Sequence, residues 1–282
     1  MRILKPVKID EFDFSNYGRV FPLGGADDIS FTPKGTMLWP YKMGMTHSGA
    51  GTYLSRSMER HVSTEEILFA GDSPLVLALC ADDPYAPPKA ENLIAVEFDP
   101  GTVIILNRGI WHDACRGCDG RDTYYYFMAL NNGEASELKW TDIAGGPVNI
   151  DIRCAQTEYA PGKCPPASDF TAGSMLLHDL RSDDGIQNDM WECWQTDRPY
   201  PDYMGVIGFG RVPDMGVIER TASAAEHEVL LSASGVIKVV LADDGTSAEL
   251  AKGCCAVIPP AAGYRIEGRP GECFYLIVKA DN

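Results

Sequence analysis

Two histidines and two glutamates in the first half of the chain have the residue types and the spacing of a metal site. Glu59 and His61 are two positions apart, Glu66 comes five residues after His61, and His112 lies 46 residues beyond Glu66. Residues two apart on a strand point to the same face, so Glu59 and His61 can project together into the interior of a β-barrel. Two imidazoles with one or two carboxylates suit Mn, Fe, Co, Ni or Zn. We therefore predict a divalent metal site formed by Glu59, His61, Glu66 and His112.

The elements that must position these residues are short apolar runs separated by turn residues. In the first half the runs cover residues 74–79, 93–98, 102–106 and 124–130, and in the second half they cover 228–231, 235–241, 256–258 and 274–278. The chain contains 28 glycines and 19 prolines, and turn sequences such as Asp99-Pro100-Gly101 lie between the runs. This pattern is typical of an all-β fold built from barrels.

An internal repeat predicts that the barrel is duplicated. The segment Glu59-Arg60 recurs as Glu219-Arg220, and the segment that begins at Gly101 recurs from Gly253. We expect an N-terminal barrel with the active site over residues 1–140, a linker with edge strands over 141–185, and a degenerate C-terminal barrel over 186–282.

The second copy of the repeat lacks the histidines. Thr221 takes the position of His61, and Arg265 falls where His112 would be. Glu219 and Glu226 remain, but two carboxylates without imidazoles are a weak metal site. We therefore expect no metal in the C-terminal barrel.

The composition restricts the partners of the chain. The formal net charge is −16, from 24 basic and 40 acidic side chains, and a surface this acidic repels phosphate backbones and anionic lipids. We expect a small-molecule substrate, and binding of neither nucleic acid nor membranes. The N-terminus lacks the apolar core of a signal peptide, and the nine cysteines are irregularly spaced, which predicts a cytoplasmic protein. Barrel edges often pair across a two-fold axis, so we also expect a homodimer.

The spacing of the predicted ligands resembles the two motifs of the cupin family. The second cupin motif, Gly-x5-Pro-x-Gly-x2-His, is similar to the segment from Gly101 to His112, with Asn107 in place of the proline. The first motif, His-x-His-x3–4-Glu, is similar to the segment that begins at Glu59, where a glutamate replaces the first histidine. Either Glu65 or Glu66 can be its last ligand, and the apolar run that follows favours Glu66. The resemblance implies tandem jelly-roll barrels, also described as double-stranded β-helices.

The N-terminal half, over about residues 10–130, also resembles the ureidoglycolate lyases (or ureidoglycolate hydrolases). The similar segments are Phe14–Val20, Met58–His61 and Asn107–His112. The resemblance implies a lyase that eliminates urea from ureidoglycolate, or a similar leaving group from a small hydroxy or ureido acid, and releases glyoxylate. Two other interpretations stay open. One is a metal-dependent cupin of another class, such as a sugar isomerase or a dioxygenase, and the other is a non-enzymatic bicupin that binds a small molecule.

Such an elimination needs a base for the hydroxyl proton and an acid for the leaving nitrogen. His112 or Glu66 can act as the base, and His61 can act as the acid or as a metal ligand.

The substrate carboxylate needs a cation, which a metal ion or an arginine can supply. Arg108 is the predicted clamp. Arg60 is a second candidate, although strand alternation points it away from the pocket unless a bulge intervenes. Tyr17 and Trp111 are predicted to form walls of the substrate pocket.

Overall fold

A computed structural model describes residues 2–24, 29–33, 37–39, 41–62, 64–118, 120, 123–130, 140–152, 170–180, 203–224 and 227–280. The chain divides into two compact units, Met1–Phe21 with Thr46–Pro161 and Pro22–Met45 with Gly162–Asn282. Parts of the predicted linker (141–185) and of the predicted second barrel (186–282) lie outside the described residues, as does Glu226.

The described residues are nearly all in strands or turns, with two short 3-10 turns at Ile9–Glu11 and Ala90–Asn92. The strands up to residue 150 are β1 (Ile3–Leu4), β2 (Val7–Lys8), β3 (Gly18–Pro22), β4 (Ile29–Phe31), β5 (Met37–Trp39), β6 (Tyr41–Ser48), β7 (Tyr53–Ser55), β8 (Ser57–Met58), β9 (Glu66–Ala70), β10 (Leu75–Cys80), β11 (Ile94–Phe98), β12 (Thr102–Leu106), β13 (Trp111–His112), β14 (Arg116–Gly117), β15 (Thr123–Leu130), β16 (Thr141–Asp142) and β17 (Val148–Ile150). The later strands are β18 (Phe170–Ala172), β19 (Met175–Asp179), β20 (Tyr203–Arg211), β21 (Val217–Thr221), β22 (Glu228–Ser232), β23 (Val236–Leu241), β24 (Ser247–Ala251), β25 (Cys254–Ile258), β26 (Gly263–Glu267) and β27 (Cys273–Ala280).

The first unit is a jelly roll of two sheets. One sheet has the order β3-β12-β9-β15-β6, and the other has the order β13-β10-β11-β2, with β14 also paired to β10. Glu59 forms an antiparallel bridge with His112 and so extends the second sheet beyond β13. Along the chain, β6, β9, β12 and β15 lie in one sheet, while the Glu59 segment, β10, β11 and β13–β14 lie in the other. This alternation is the strand order of a jelly roll.

The second unit has the same strand order, and each of its strands from β20 to β27 is paired with a neighbour in its sheet. One sheet contains β25-β22-β27-β20, and the other contains β21-β26-β23-β24. The eight strands from β20 to β27 alternate between the sheets as their counterparts in the first unit do. The predicted all-β fold with tandem jelly-roll barrels is therefore confirmed.

A short N-terminal segment completes the second unit. β4 and β5 pair antiparallel with β20, where Phe31 lies opposite Gly208 and Leu38 opposite Met204. The predicted first barrel, 1–140, includes these strands, whereas the structure assigns residues 22–45 to the second unit. Nothing in their own sequence reveals this, because the pairing partner is more than 160 residues away.

The strand β10 shows why the strands of the first barrel could be predicted from the sequence. Its alternate residues Leu75, Leu77 and Leu79 pack between the two sheets, while Val76 and Ala78 pack on the other face of their sheet, against Trp111 and Val148 among others. A strand buried on both faces has a continuous apolar sequence rather than an alternating one. Among the described residues, no helix combines the length and the apolar character that a membrane crossing requires.

Candidate metal centre

Three segments of the chain bring the predicted ligands into the interior of the first barrel. Glu59 and His112 lie directly opposite each other, and each donates its backbone N–H to the carbonyl of the other at 2.8 Å. Glu66 is the first residue of β9 and lies between β12 and β15, opposite Leu106 and Ala129. His61 follows Glu59 by two residues, and its carbonyl accepts the N–H of Gly109 at 2.7 Å.

The four side chains meet at one place. Glu66 Oε2 lies 2.8 Å from His112 Nε2 and 3.6 Å from His61 Nε2, and Glu59 Oε1 lies 3.7 Å from His112 Nε2. The two imidazole rings are stacked with their centroids 5.6 Å apart. One ligand atom from each of Glu59, His61 and His112 lies within 4.8 Å of the others, so that the three can hold a metal ion.

Three atoms of this cluster are buried and lack a hydrogen-bond partner, namely His61 Nε2, Glu66 Oε2 and His112 Nε2. His112 Nε2 and Glu66 Oε2 are 2.8 Å apart, so a proton on Nε2 would lie between them. On the far side of the ring, His112 Nδ1 faces the carbonyl of Ile110 at 3.0 Å. A carbonyl only accepts, so Nδ1 carries a proton, and when the ring is neutral its Nε2 lone pair points at the cluster.

A divalent cation fits this arrangement, because buried polar atoms are normally satisfied and a cation would satisfy all three at once. Two nitrogen and two oxygen donors form the mixed set that Mn, Fe, Co, Ni and Zn accept. The residues that would hold the ion are His61, His112, Glu66 and Glu59.

Burial and ion pairing move the pKa values of the cluster in different directions. Burial opposes the charged form of His112, but the carboxylates of Glu66 and Glu59 outweigh it and raise the pKa of His112 to about 9. Burial also opposes ionisation of Glu66, but the charges of His112 and His61 hold the pKa of Glu66 well below its ordinary value. For Glu59, burial outweighs the same two histidines and raises the pKa. Without a bound cation, His112 is therefore protonated at neutral pH.

The choice between Glu65 and Glu66 is resolved by their contacts. The carboxylate of Glu65 lies 2.6 Å from Arg19 Nη2; the side chain of Glu65 is 25% exposed and that of Arg19 is 41% exposed. Glu66 points the other way, with 8% of its side chain exposed. Neighbouring residues at a strand start face opposite sides, so only Glu66 reaches the histidines.

Arg60 and Trp111 lie against each other rather than at the cluster. The Arg60 guanidinium carbon is 4.4 Å from the centre of the Trp111 ring, and its Nε–H donates to the carbonyl of Pro84. Trp111 is 1% exposed and packs in the apolar cluster on the outer face of its sheet. The alternation that was expected to point Arg60 away from the pocket is what the structure shows.

Arg108 and Tyr17 flank the turn that leads to His112. Arg108 is exposed in that turn. Tyr17 is half-buried beside the rings of Phe12 and Phe14, with centroids 5.7 Å away in each case. The backbone carbonyl of Tyr17 accepts the N–H of Asn107 at 2.9 Å, so the N-terminal segment anchors the turn.

The second barrel has a different polar cluster at the equivalent place. In the pair of β21 with β26, Arg220 lies opposite Tyr264, as Glu59 lies opposite His112 in the first barrel.

Glu228 supplies the remaining position. It begins β22 opposite Ile258, the last residue of β25, and opposite Val278 of β27. Glu66 begins β9 in the same relation to β12 and β15. Counted from the sheets, Arg220, Tyr264 and Glu228 correspond to Glu59, His112 and Glu66.

This second cluster is internally paired. Tyr264 donates its hydroxyl to Glu228 Oε2 at 2.7 Å and accepts from Arg220 Nε at 3.0 Å. Glu228 Oε1 accepts the backbone N–H of Ser223 at 3.1 Å. Burial, reinforced by Glu228, raises the pKa of Tyr264, so the phenol stays protonated.

The repeat found in the sequence differs from this correspondence by one residue. It aligned Thr221 with His61 and Arg265 with His112, but both Thr221 and Arg265 are exposed. The strand registers place Ala222 and Tyr264 at those positions instead. The signal that identifies Glu228 was present in the sequence, because Glu228 and Glu66 each precede an apolar strand directly.

Comparisons with known proteins give similarity at the level of the chain trace. No protein-family model and no curated protein matches the chain. Solved structures that resemble it include a variant of Bacillus subtilis oxalate decarboxylase, with a TM-score of 0.42 and 12% identity over 86% of this chain and 70% of that chain. A structure of the same enzyme from work on its Mn(II) centres has a TM-score of 0.42 and 12% identity over 96% and 77% of the chains. A third, of an oxalate decarboxylase, has a TM-score of 0.43 and 11% identity over 86% and 69%.

Proposed function

We propose that the first barrel is the active site of a metal-dependent enzyme that acts on a small hydroxy or ureido acid. The observation that carries this proposal is the set of three buried donor atoms on His61, Glu66 and His112, which face one another inside the barrel. In the apo protein a proton on His112 would lie between its Nε2 and Glu66 Oε2, 2.8 Å apart. A divalent cation would replace that proton and bind all three atoms.

A divalent ion held there would polarise the carboxylate and hydroxyl oxygens of a bound acid. His61 and His112 offer their Nε2 lone pairs, and the Nδ1–H of His112 is committed to the Ile110 carbonyl, which fixes the ring. Glu66 and Glu59 supply negative charge that offsets the ion.

Elimination from a hydroxy acid breaks a carbon–nitrogen bond as the hydroxyl becomes a carbonyl. The hydroxyl proton must leave, and the departing nitrogen must receive one. Glu59 is the most exposed of the four groups, at 17% of its side chain, and a carboxylate has a second oxygen when the first is occupied. We assign to Glu59 the role of taking the hydroxyl proton and returning it to the leaving nitrogen.

The substrate carboxylate needs positive charge in a protein with a formal net charge of −16. Arg108 is the exposed cation on the turn that carries His112. It can bind a carboxylate bidentately. Ureidoglycolate fits these requirements, because its carboxylate, its hydroxyl and its urea leaving group are all bonded to the same carbon.

Metal analysis of protein purified without chelator tests the site first. We expect one Mn, Fe, Co, Ni or Zn per chain, and its loss in His61→Ala and His112→Ala. Glu65→Gln is the matched control, because it removes a neighbouring carboxylate that faces solvent. A wild-type protein without metal after incubation with Mn²⁺ would contradict the proposed site.

Turnover is tested on the metal-loaded protein with ureidoglycolate and a panel of other hydroxy and ureido acids, with glyoxylate release as the readout. Arg108→Met is expected to raise KM with little change in kcat if it binds only the carboxylate. Stoichiometric metal without turnover of any acid in the panel would leave a metal-bound binding protein in place of an enzyme.

A further inference from the structure

Three residues beside the metal ligands contact a single loop, residues 81–89, which joins β10 to the 3-10 turn at Ala90. Arg60 donates its Nε–H to the Pro84 carbonyl. Trp111 donates its Nε1–H to the Asp83 carbonyl at 3.2 Å. Gly109 packs so closely on the Pro84 ring that an added Cβ would lie 3.0 Å from it. The three contacts fall on two consecutive residues of the loop.

Two of the contact points are next to a ligand in the chain, and the third is hydrogen-bonded to a ligand. Arg60 stands between Glu59 and His61, and Trp111 immediately precedes His112. The Gly109 N–H donates to the carbonyl of His61 at 2.7 Å. Adjacent strand residues face opposite sides, so a loop that holds Arg60 and Trp111 on the outside determines where the ligands point on the inside.

The loop is itself held in place. Asp82 accepts the Lys89 backbone N–H at 2.8 Å and the Asn92 side-chain amide at 2.7 Å. The Asp83 carbonyl that binds Trp111 also accepts the N–H of Ala86 at 3.1 Å. The Pro88 carbonyl accepts the N–H of Ala144 at 2.8 Å. Because hydrogen bonds hold the loop at both ends, it can fix the positions of the side chains that contact it.

The two outer side chains also contact each other. The Arg60 guanidinium carbon lies 4.4 Å from the centre of the Trp111 ring, within the range of a cation–π interaction. Together with the reciprocal Glu59–His112 backbone hydrogen bonds, this closes a ring of contacts around the two ligand segments.

We propose that loop 81–89, through Arg60 and Trp111, is a positioning device that sets the geometry of the metal ligands in the first barrel. This inference rests on the proposed function, since it needs a metal at Glu59, His61, Glu66 and His112. Arg60 and Trp111 act on the ligands and do not touch the substrate. Partners that orient metal ligands affect metal affinity by about 10–100-fold when they are removed.

The Mn²⁺ dissociation constant of the full chain measures this effect. Arg60→Met keeps the length of the side chain but removes the donor and the charge, and Trp111→Phe removes the Nε1–H donor. We expect each variant to raise the dissociation constant by about 10–100-fold. The matched control is Arg19→Met, which removes an arginine whose partner Glu65 also adjoins a ligand; its expected change is less than twofold.

A purely structural role predicts a different result. It would lower the thermal unfolding midpoint of the apo protein and leave the dissociation constant of the folded protein unchanged. The electron paramagnetic resonance spectrum of bound Mn²⁺ separates the two roles, because misplaced ligands broaden it. Arg60→Lys keeps a cation over Trp111 and is expected to recover part of the affinity, and it serves as the milder variant if Arg60→Met does not fold.

Two outcomes would overturn the inference and the proposed function separately. If wild-type protein binds Mn²⁺ while folded Arg60→Met and Trp111→Phe bind it within twofold of wild type, the positioning role is wrong and the metal site stands. If wild-type protein binds no metal, the proposed function fails first.

Discussion

The two barrels solve the same problem of buried charge in opposite ways. In the first, His61, Glu66 and His112 direct three buried atoms at a common point, and Glu59 lies beside them. In the second, Arg220, Tyr264 and Glu228 pair completely with one another. The backbone places both sets at the same positions, so the side chains alone decide whether an external cation is needed. A fixed arginine in the second barrel takes the place that a mobile cation would have.

The sharpest way to break this comparison is to move the first site into the second barrel. Arg220→Glu, Ala222→His and Tyr264→His together would recreate Glu59, His61 and His112 beside the existing Glu228. We expect the metal content to rise from one to two ions per chain, measured by elemental analysis. The matched control is Arg220→Met with Tyr264→Phe, which removes the pairing but supplies no ligand. A folded triple variant with one ion would show that the strand correspondence is wrong.

The pH dependence of the free energy of unfolding is a second way to distinguish the His112 cluster of the first barrel from the Tyr264 cluster of the second. The pKa of His112 is raised from 6.5 to about 9, so its ion pairs stabilise the apo protein fully below pH 6.5 and this stability is lost as the pH rises through 9. The difference corresponds to about 3 kcal/mol in the free energy of unfolding. Urea denaturation of the apo protein between pH 6 and pH 10 measures it.

His112→Gln provides the control, because it removes the titrating group. We expect the variant to lose most of the decrease between pH 7 and pH 10. An equal decrease in both proteins would assign the pH dependence to other groups. With saturating metal the trend should reverse at the low end, because metal binding requires His112 to release its proton.

A smaller effect is expected from Tyr264→Phe in the second barrel. The substitution keeps the ring but leaves Glu228 and Arg220 without their shared hydroxyl partner. Arg220 Nη2 lies 3.9 Å from Glu228 Oε2, so the two side chains can approach each other and pair directly. We therefore expect a loss of about 1–2 kcal/mol in the free energy of unfolding. Metal affinity of the first barrel should not change. A shift in metal affinity would show that the second cluster does more than stabilise its own barrel.

The sequence was sufficient for the residues whose chemistry is local. Alternation along one strand paired Glu59 with His61, and the apolar run after Glu66 identified a buried strand start. The same alternation indicated that Arg60 faces away from the ligands. The sequence was also sufficient for the jelly-roll class, because the turns and runs recur in the same order in both halves.

The sequence was insufficient where strand register or pairing between distant segments decides the position of a side chain. The match of Thr221 to His61 failed by one residue, because Arg220 precedes Glu228 by eight positions whereas Glu59 precedes Glu66 by seven. Trp111 lies in the same predicted motif as His112. Because it is one position earlier on the strand, its side chain lies on the opposite face of the sheet. The contacts of Arg60 with Pro84 and of Trp111 with Asp83 join segments more than 20 residues apart and could not be inferred from either segment alone.

The pairing of β4 with β20 has a consequence for the order in which the chain is completed during synthesis. Thr32 and Ile207 exchange hydrogen bonds across 175 residues, whereas β20 and the strands after it follow one another closely. Closing such a long loop costs entropy before any contact repays it, and contacts of this kind slow folding. A ribosome would release the first barrel's strands long before the partner of β4 exists. β4 therefore has no partner in the second barrel until β20, about 175 residues further along the chain, has been made.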